Sequence, residues 1–161
     1  MTEFAIRPVE PWDREWISQL SAERWGSEIV VVHDTVYKPA DLPGFVAIEE
    51  NKRIGLITYH IENGECELVT LDSLQPSIGI GNGLIEEVGW VAKEAGCKRL
   101  WVITTNDNIE ALQFYQRRGF SLVAVHKDAV AKAREKKPEI PQFGKNGIPI
   151  KDEIELEMIL D

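Results

Sequence analysis

The dipeptide Asn63-Gly64 lies between two runs rich in β-branched residues, "RIGLITYHI" ahead of it and "ECELVTLDSL" behind it. A type I′ turn needs positive φ at both central residues, and Asn-Gly accepts this more readily than other pairs. The two runs are therefore committed to an antiparallel hairpin. The next segment is different in kind. "QPSIGIGNGLIEEV" passes from glycines into an apolar face of Leu84, Val88, Val91, Ala92 and Ala95 at helical spacing. Gly96 stands where a C′ glycine ends a helix, and "KRLWVITT" reads as a strand again. A strand, a helix and a strand in that order make a parallel crossover next to an antiparallel pair. The chain thus commits to a mixed sheet and not to a doubly wound one.

The flanking segments extend this plan. "FAIRPV" is a first strand, and "PWDREWISQLSAERW" a helix begun at Pro11 with Trp16, Ile17 and Leu20 as its apolar stripe. "GSEIVVVHDTVYKPADLP" is irregular, with a β-branched run from Ile29 to Val32. "GFVAIEE" pairs with "RIGLITYHI" around Asn51-Lys52. "NDNIEALQFYQRRG" is a helix with an Asx-type cap and a terminal Gly119, and "FSLVAV" is the strand reached by a second parallel crossover. A short polar helix stops at Pro138, and a Pro- and Gly-rich loop comes after it. "EIELEMIL" closes the chain, alternating at Ile154, Leu156, Met158 and Leu160. The expected class is α+β (mixed α/β), a central mixed sheet of about seven strands flanked by helices, in one domain spanning 1–161.

Charge and composition narrow the partners. Net charge is −9, which argues against nucleic-acid binding, since that needs a basic face. No apolar run approaches the roughly 20 residues of a membrane span, and "MTEFAIRPVE" has no export signal, so a cytoplasmic setting is expected. Cys66 and Cys97 are too few for a disulfide scaffold and lack zinc-ligand spacing, so they read as small buried apolar groups and no metal is expected. A phosphate-bearing ligand would have to be held by local donors against an unfavourable field, and backbone amides are the obvious source.

Three readings of the glycine stretch compete. A dinucleotide fingerprint wants G-x-G-x-x-G after a first strand, but here the spacing is G-x-G-x-G with Leu84 in the sixth position. A phosphate loop of the Walker type needs a Lys, and none is present there. The plain reading is a glycine-rich approach to a helix. The third is a pyrophosphate cradle, in which glycines bring the main chain close and successive N–H groups point at the anion with the positive end of the helix.

"NIEALQFYQRRGF" carries the pattern N-x-x-A-x-x-F-Y-x-x-x-G-F through Asn108, Ala111, Phe114-Tyr115 and Gly119-Phe120. Together with "GIGNGLI" upstream, it resembles the GNAT family of N-acetyltransferases, and the element order is that of the same fold. The resemblance implies acetyl-CoA (CoA) in a V-shaped opening between "ELVTLDSL" and "KRLWVITT". Main-chain groups around Leu71 and Ser73 would meet the pantetheine arm. The amides of Ser77, Ile78, Gly79, Ile80, Gly81, Asn82 and Gly83 would hold the pyrophosphate. Asn108 would hydrogen-bond the pantetheine, and Tyr115 would sit near the sulfur. One departure stands out: the usual Gln/Arg slot of the loop is Pro76, with Gln75 one residue earlier. Proline offers neither a side-chain donor nor an N–H.

Acetyl transfer to an amine needs a neutral amine, an aligned carbonyl and a proton for the leaving thiolate. A strand N–H suits the carbonyl oxygen. Tyr115, protonated at neutral pH, suits the thiolate, against the alternative of a core aromatic. Glu67 is the first choice of base, and in a regular strand it shares a face with Val69, Leu71 and Ser73; a bulge would reset that parity. Asp72 is a second candidate, and His60 and His33 weaker ones, while a neutral amine would need no base. Trp12, Trp16 and Trp25 read as packing for the first helix, although the resemblance implies that Trp25-Gly26 opens the acceptor region; Lys98, Arg99, Arg117 and Arg118 read as solvated charges, one of which could meet the ribose phosphate of CoA. The connection 127–152 reads as a lid, a homodimer contact or a packed arm. The leading expectation is an acetyl-CoA-dependent N-acetyltransferase acting on a small-molecule or peptide amine in a ternary complex. The alternatives are an acyl-CoA-binding sensor on the same fold and a nucleotide-dependent oxidoreductase using NAD.

Overall fold

The computed structural model describes residues 3–75 and 79–161. Asn63 and Gly64 both take positive φ, 53° and 75°, as a type I′ turn requires. They join β5 (Lys52–Glu62) to β6 (Glu65–Ser73). The preceding turn sits one residue earlier than Asn51-Lys52: Glu50 and Asn51 carry the positive φ, between β4 (Gly44–Glu49) and β5. A third tight turn, His33-Asp34, lies within the stretch that looked irregular. It folds β2 (Val30–Val32) onto β3 (Thr35–Tyr37) as a two-stranded ribbon outside the main sheet.

The main sheet also contains β1 (Ala5–Pro8), β7 (Arg99–Thr105), β8 (Ser121–His126) and β9 (Glu153–Ile159). Its seven strands run in the order β1-β4-β5-β6-β7-β9-β8. Helix α1 (Arg14–Trp25) comes after a 3-10 turn at Pro11–Asp13, and a second 3-10 turn lies at Pro39–Asp41; the other helices among the described residues are α2 (Ile80–Glu94), α3 (Ile109–Arg117) and α4 (Ala129–Lys136). β6 and β7 are parallel neighbours across α2, as expected. β8 runs parallel to β7 across α3 but is not its neighbour, because β9 inserts antiparallel between them. The long connection before β9 gives it the reach. Its alternation buries Leu156 fully and packs Ile154 and Met158 on the core.

The sheet is covered on both faces. On one, Leu84, Val88 and Ala92 of α2 pack on Ile57, Leu68 and Leu100. On the other, Ile17 and Leu20 of α1 pack on Val46 and Leu56, with Trp16 half-buried beside them. Trp12 departs from its expected packing role and is 66% exposed. Asp13 is fully buried where β1, β5 and the start of α1 converge, accepting from Arg7 at 2.6 Å and Arg53 at 2.8 Å. Arg99 is not a solvated charge. It bridges Glu65, Glu155 and Glu157 across three strands at 2.8–3.2 Å and lies over Trp101.

The 127–152 connection is a packed arm. Arg134 donates to the carbonyls of Ile140, Pro141 and Ile150. Asn106 donates to the Pro149 carbonyl and accepts from the N–H groups of Lys151 and Asp152. Lys136 pairs with Asp34 at 3.0 Å, so α4 also clasps the ribbon.

Candidate active site

β6 and β7 pair from Glu65↔Arg99 to Leu68↔Val102, although β6 continues to Ser73 and β7 to Thr105. The strands part at a β-bulge. Tyr59 pairs with Leu68 and Thr58 with Thr70, so Val69 is an extra residue. The bulge has two effects. It turns β6 away from β7 and opens the sheet, and it resets side-chain parity. Glu67 therefore shares a face with Thr70 and Asp72, not with Leu71 and Ser73 as a regular strand would have it.

A cavity of about 520 Å³ occupies the opening. Of the residues anticipated for a cofactor, Leu71, Ser73, Gly79, Ile80, Gly81, Asn82, Asn108 and Tyr115 all line it. Gly83 does not: its N–H donates to the Gly79 carbonyl at 3.0 Å, and a Cβ there would meet Ile6 of β1 at 2.9 Å. It is a packing position. Ser77 and Ile78, together with Pro76, lie outside the described residues. Helix α2 starts from Gly79 at φ 81°, a left-handed conformation that favours glycine. Its first internal hydrogen bond is the one from Gly83, so helix geometry leaves the N–H groups of Ile80, Gly81 and Asn82 without an intrahelical acceptor. Gly81 also lets α2 and α3 approach, since a Cβ there would lie 2.9 Å from Phe114 Cζ.

Asn108 caps α3, its Oδ1 accepting the Ala111 N–H at 3.1 Å. The cap does not use its side-chain amide N–H groups, which remain available as donors. Arg118 lies with its guanidinium 3.5 Å from the Phe114 ring centroid and donates from Nη1 to the Phe114 carbonyl. Its Nε is buried with no partner among the described residues. Burial, with Arg117 nearby, holds its pKa below the ordinary value. A cation short of acceptors among the described residues, beside helix amides with no intrahelical acceptor, fits an anionic phosphate. A further opening of about 540 Å³ adjoins there, lined by Asn82, Glu110, Gln113, Phe114, Arg117 and Arg118; Glu110 is paired with Lys145.

Tyr115 is 6% exposed, packed edge-on against Phe114 and Phe120. Burial, then the Asp72 carboxylate, push its pKa above the ordinary phenol value, so it carries its proton at neutral pH. Asp72 is 4% exposed in the wall of the same cavity. Burial pushes its pKa up to about 6, against the opposing pull of Arg24 and the Trp25 indole.

Glu67 sits elsewhere. It is buried behind the opening and is not among the residues lining either side of it. The Tyr37 hydroxyl donates to its Oε1 at 2.6 Å, and His33 Nε2 lies 2.8 Å from its Oε2. The His33 N–H donates to Glu153 at 3.0 Å. These bonds tie the ribbon to the sheet. Burial lowers the His33 pKa but the Glu67 partner outweighs it, and the net shift is upward. His60 lies near Glu62 at 3.9 Å, at the sheet surface. Cys66 is buried, its thiol pushed up to about 12 by burial.

On the ribbon side a second cavity of about 360 Å³ meets the first at Arg24, Trp25 and Asn108. Its walls are Gly26, Val30–Val32, Val69, Ile103–Thr105 and the arm residues Lys137, Glu139, Ile140, Pro141 and Ile150, with Glu153. Trp25 and Gly26 line this chamber, as do residues of the 127–152 connection, whose Lys137 meets its partner Ile29 across 108 residues of sequence.

Residues 6–120 match the model of the "Acetyltransferase (GNAT) family". Two Bacillus subtilis (strain 168) proteins, both described as uncharacterized, are similar over nearly their whole length. YdhI is 41% identical over 97% of this chain and 98% of its own, and YxbD is 40% identical over 92% and 94%. Among solved structures, the IAA acetyltransferase from Bacillus cereus superposes with a TM-score of 0.74 at 22% identity, covering 98% of this chain and 100% of that one. A GNAT family acetyltransferase from Elizabethkingia anophelis with acetyl-CoA bound gives 0.70 at 22% identity, with 98% of each chain covered.

Proposed function

The chain belongs to the GNAT family of acetyltransferases, and on that premise we propose that it transfers the acetyl group of acetyl-CoA to a primary amine by direct attack in a ternary complex. The observation that carries this reading is the opening at Val69: strands part there, and a cofactor-sized cavity and a smaller chamber meet in the gap. Acetyl-CoA supplies an activated thioester. Every other part of the chemistry belongs to this chain.

The amides of Ile80, Gly81 and Asn82 and the guanidinium of Arg118 hold the diphosphate end. Asn108 donates to the pantetheine arm. Beyond Leu68 the β6 edge that faced β7 is freed from the ladder, and its N–H groups orient the thioester carbonyl and stabilise the charge that develops on its oxygen. Asp72 takes the proton from the incoming ammonium; it faces the α1 side with a pKa near neutrality. Glu67 is the less suited carboxylate, since Tyr37 and His33 occupy its oxygens. The amine nitrogen forms the C–N bond as the C–S bond breaks and releases its second proton to solvent; Tyr115 gives its O–H proton to the departing thiolate and regains one from solvent, and Asp72 returns its proton to solvent. A purely acyl-CoA-binding module would have no use for a buried carboxylate that costs the fold stability.

The test is a thermal melt of the purified chain with acetyl-CoA, CoA or NAD in excess, and then an amine panel. A ligand at 100 times its Kd stabilises by about 2.7 kcal/mol. Stabilisation by both CoA species but not NAD, with thioester loss when an amine is added, is the expected result. Binding without loss of thioester across the panel would favour the sensor, and no stabilisation would remove the cofactor reading.

A further inference from the structure

The net charge of −9 suggests a cationic acceptor, but the chamber on the ribbon side contradicts that at close range. Lys137, at the end of α4, lines it and is only 6% exposed. Its Nζ donates to the Ile29 carbonyl at 2.9 Å, its one bond among the described residues for a group with three donors. Burial holds its pKa below the ordinary lysine value and outweighs the opposing pull of Glu139, an exposed residue that also lines the chamber. The other carboxylate in the wall, Glu153, does not neutralise it. Glu153 grips the His33 N–H, at the opposite end of β2 from Ile29, roughly 13 Å of extended chain away. Arg24 adds a second cation at the junction with the cofactor cavity. The intervening wall is apolar: Val30, Val31, Ile103, Ile140 and Ile150.

A buried ammonium short of acceptors, at one end of an apolar chamber, is a poor neighbour for a second ammonium. It is a good one for a carboxylate, which would complete its hydrogen bonds and restore its charge balance. The volume of about 360 Å³ suits a small molecule and not a folded protein surface. Resting on the acetyltransferase reading above, we propose that the acceptor is a small amino carboxylate with an apolar body. Its carboxylate sits at Lys137 and Arg24, and its amine is presented to the gap beside Asp72.

Two measurements test this, one independent of turnover. First, melting temperatures are compared with 4-methylpentanoate or 3-phenylpropionate against their alcohols, 4-methylpentanol and 3-phenylpropanol. The expected result is stabilisation by the acids at concentrations where the alcohols give none, lost in Lys137→Met. Equal shifts for acid and alcohol, or an acid shift that survives the substitution, overturn the proposal. Second, kcat/KM with acetyl-CoA is compared within matched pairs: leucine with isopentylamine, phenylalanine with phenethylamine, 6-aminohexanoate with pentylamine. At least one pair is expected to favour the acid tenfold or more through KM, and Lys137→Met to collapse that ratio towards one. Amines preferred in every pair overturn the proposal. If no amine of any kind is acetylated, the acetyltransferase reading falls, and the acid-over-alcohol shift still decides the carboxylate site. Wild-type comparisons within each pair stand even if the variant folds poorly.

Discussion

Replacing Asp72 with Asn separates the cost of this carboxylate to the fold from its value to the reaction. Its pKa is raised from 3.8 to about 6, mainly by burial. A shift of this size corresponds to roughly 3 kcal/mol against the ionised form in the folded state. The sign comes from linkage. Between about pH 4 and 6 the folded chain holds a proton that the unfolded chain has lost, so stability falls as pH rises through that window, and the penalty is complete above it. Asn carries no charge and escapes the penalty, apart from the smaller cost of burying its amide. The variant is therefore expected to melt higher than wild type at pH 7.5. At roughly 2–4 °C per kcal/mol for a chain of this size, the ceiling is about 6–12 °C. The advantage should shrink as pH falls towards 4. Activity should move the other way. A general base contributes about 10²–10⁴ in rate. In wild type, kcat/KM should fall tenfold per pH unit below about 6, and Asp72→Asn should lose that limb along with most of its rate. The assays are thermal melts at several pH values and the ultraviolet absorbance of the thioester monitored against pH. An Asn variant that keeps its rate within threefold, or melts lower than wild type at pH 7.5, refutes the assignment.

Two further outcomes are expected. Tyr115→Phe keeps the packing with Phe114 and Phe120 but removes the only proton the side chain can give; kcat should fall by about 10² or more while the thermal shift with CoA persists. A Phe variant with unchanged kcat would return Tyr115 to the core. Asp13→Ala leaves Arg7 and Arg53 without their shared partner, and because both are about a third exposed the loss should be nearer 2 kcal/mol than the 3–5 of a fully buried pair. Burial raises the Asp13 pKa, but the Arg7 pair, the Glu10 N–H and Arg53 overcome this and hold it below the usual carboxylate range. Its contribution is thus present above about pH 4 and lost as pH falls further. Urea midpoints of both proteins should converge in acid, and a gap independent of pH would show that packing alone is responsible.

Much of the cofactor side was legible because its signals are local. Asn108 caps the helix it begins, and the Gly79–Gly81 pair sits where the helix start needs a left-handed residue and a close neighbour. Where the reading of the site fell short, longer range was involved. Gly83 belongs to the same glycine run yet packs on β1, a strand far off in sequence. The extra residue at Val69 turns Asp72 to the same face as Glu67, and the two then differ in neighbours: Tyr37 and His33 of the distant ribbon occupy Glu67, while Asp72 lines the cavity. Arg99 reads like Lys98 in the chain, but its three carboxylate partners come from two other strands.

By itself the sequence determined the mixed sheet, the crossover through α2 and the glycine and Asx starts of α2 and α3 that line the cavity. Turn chemistry and helix periodicity act over a few residues, and the family motif compresses the cofactor geometry into two short segments. Only the tertiary structure decided where β9 inserts, which carboxylate meets the gap, and that Lys137 reaches the Ile29 carbonyl at the start of β2. These are set by pairings between segments tens to more than 100 residues apart, whose energies come from burial and charge in a shared cavity and leave no trace in either segment alone.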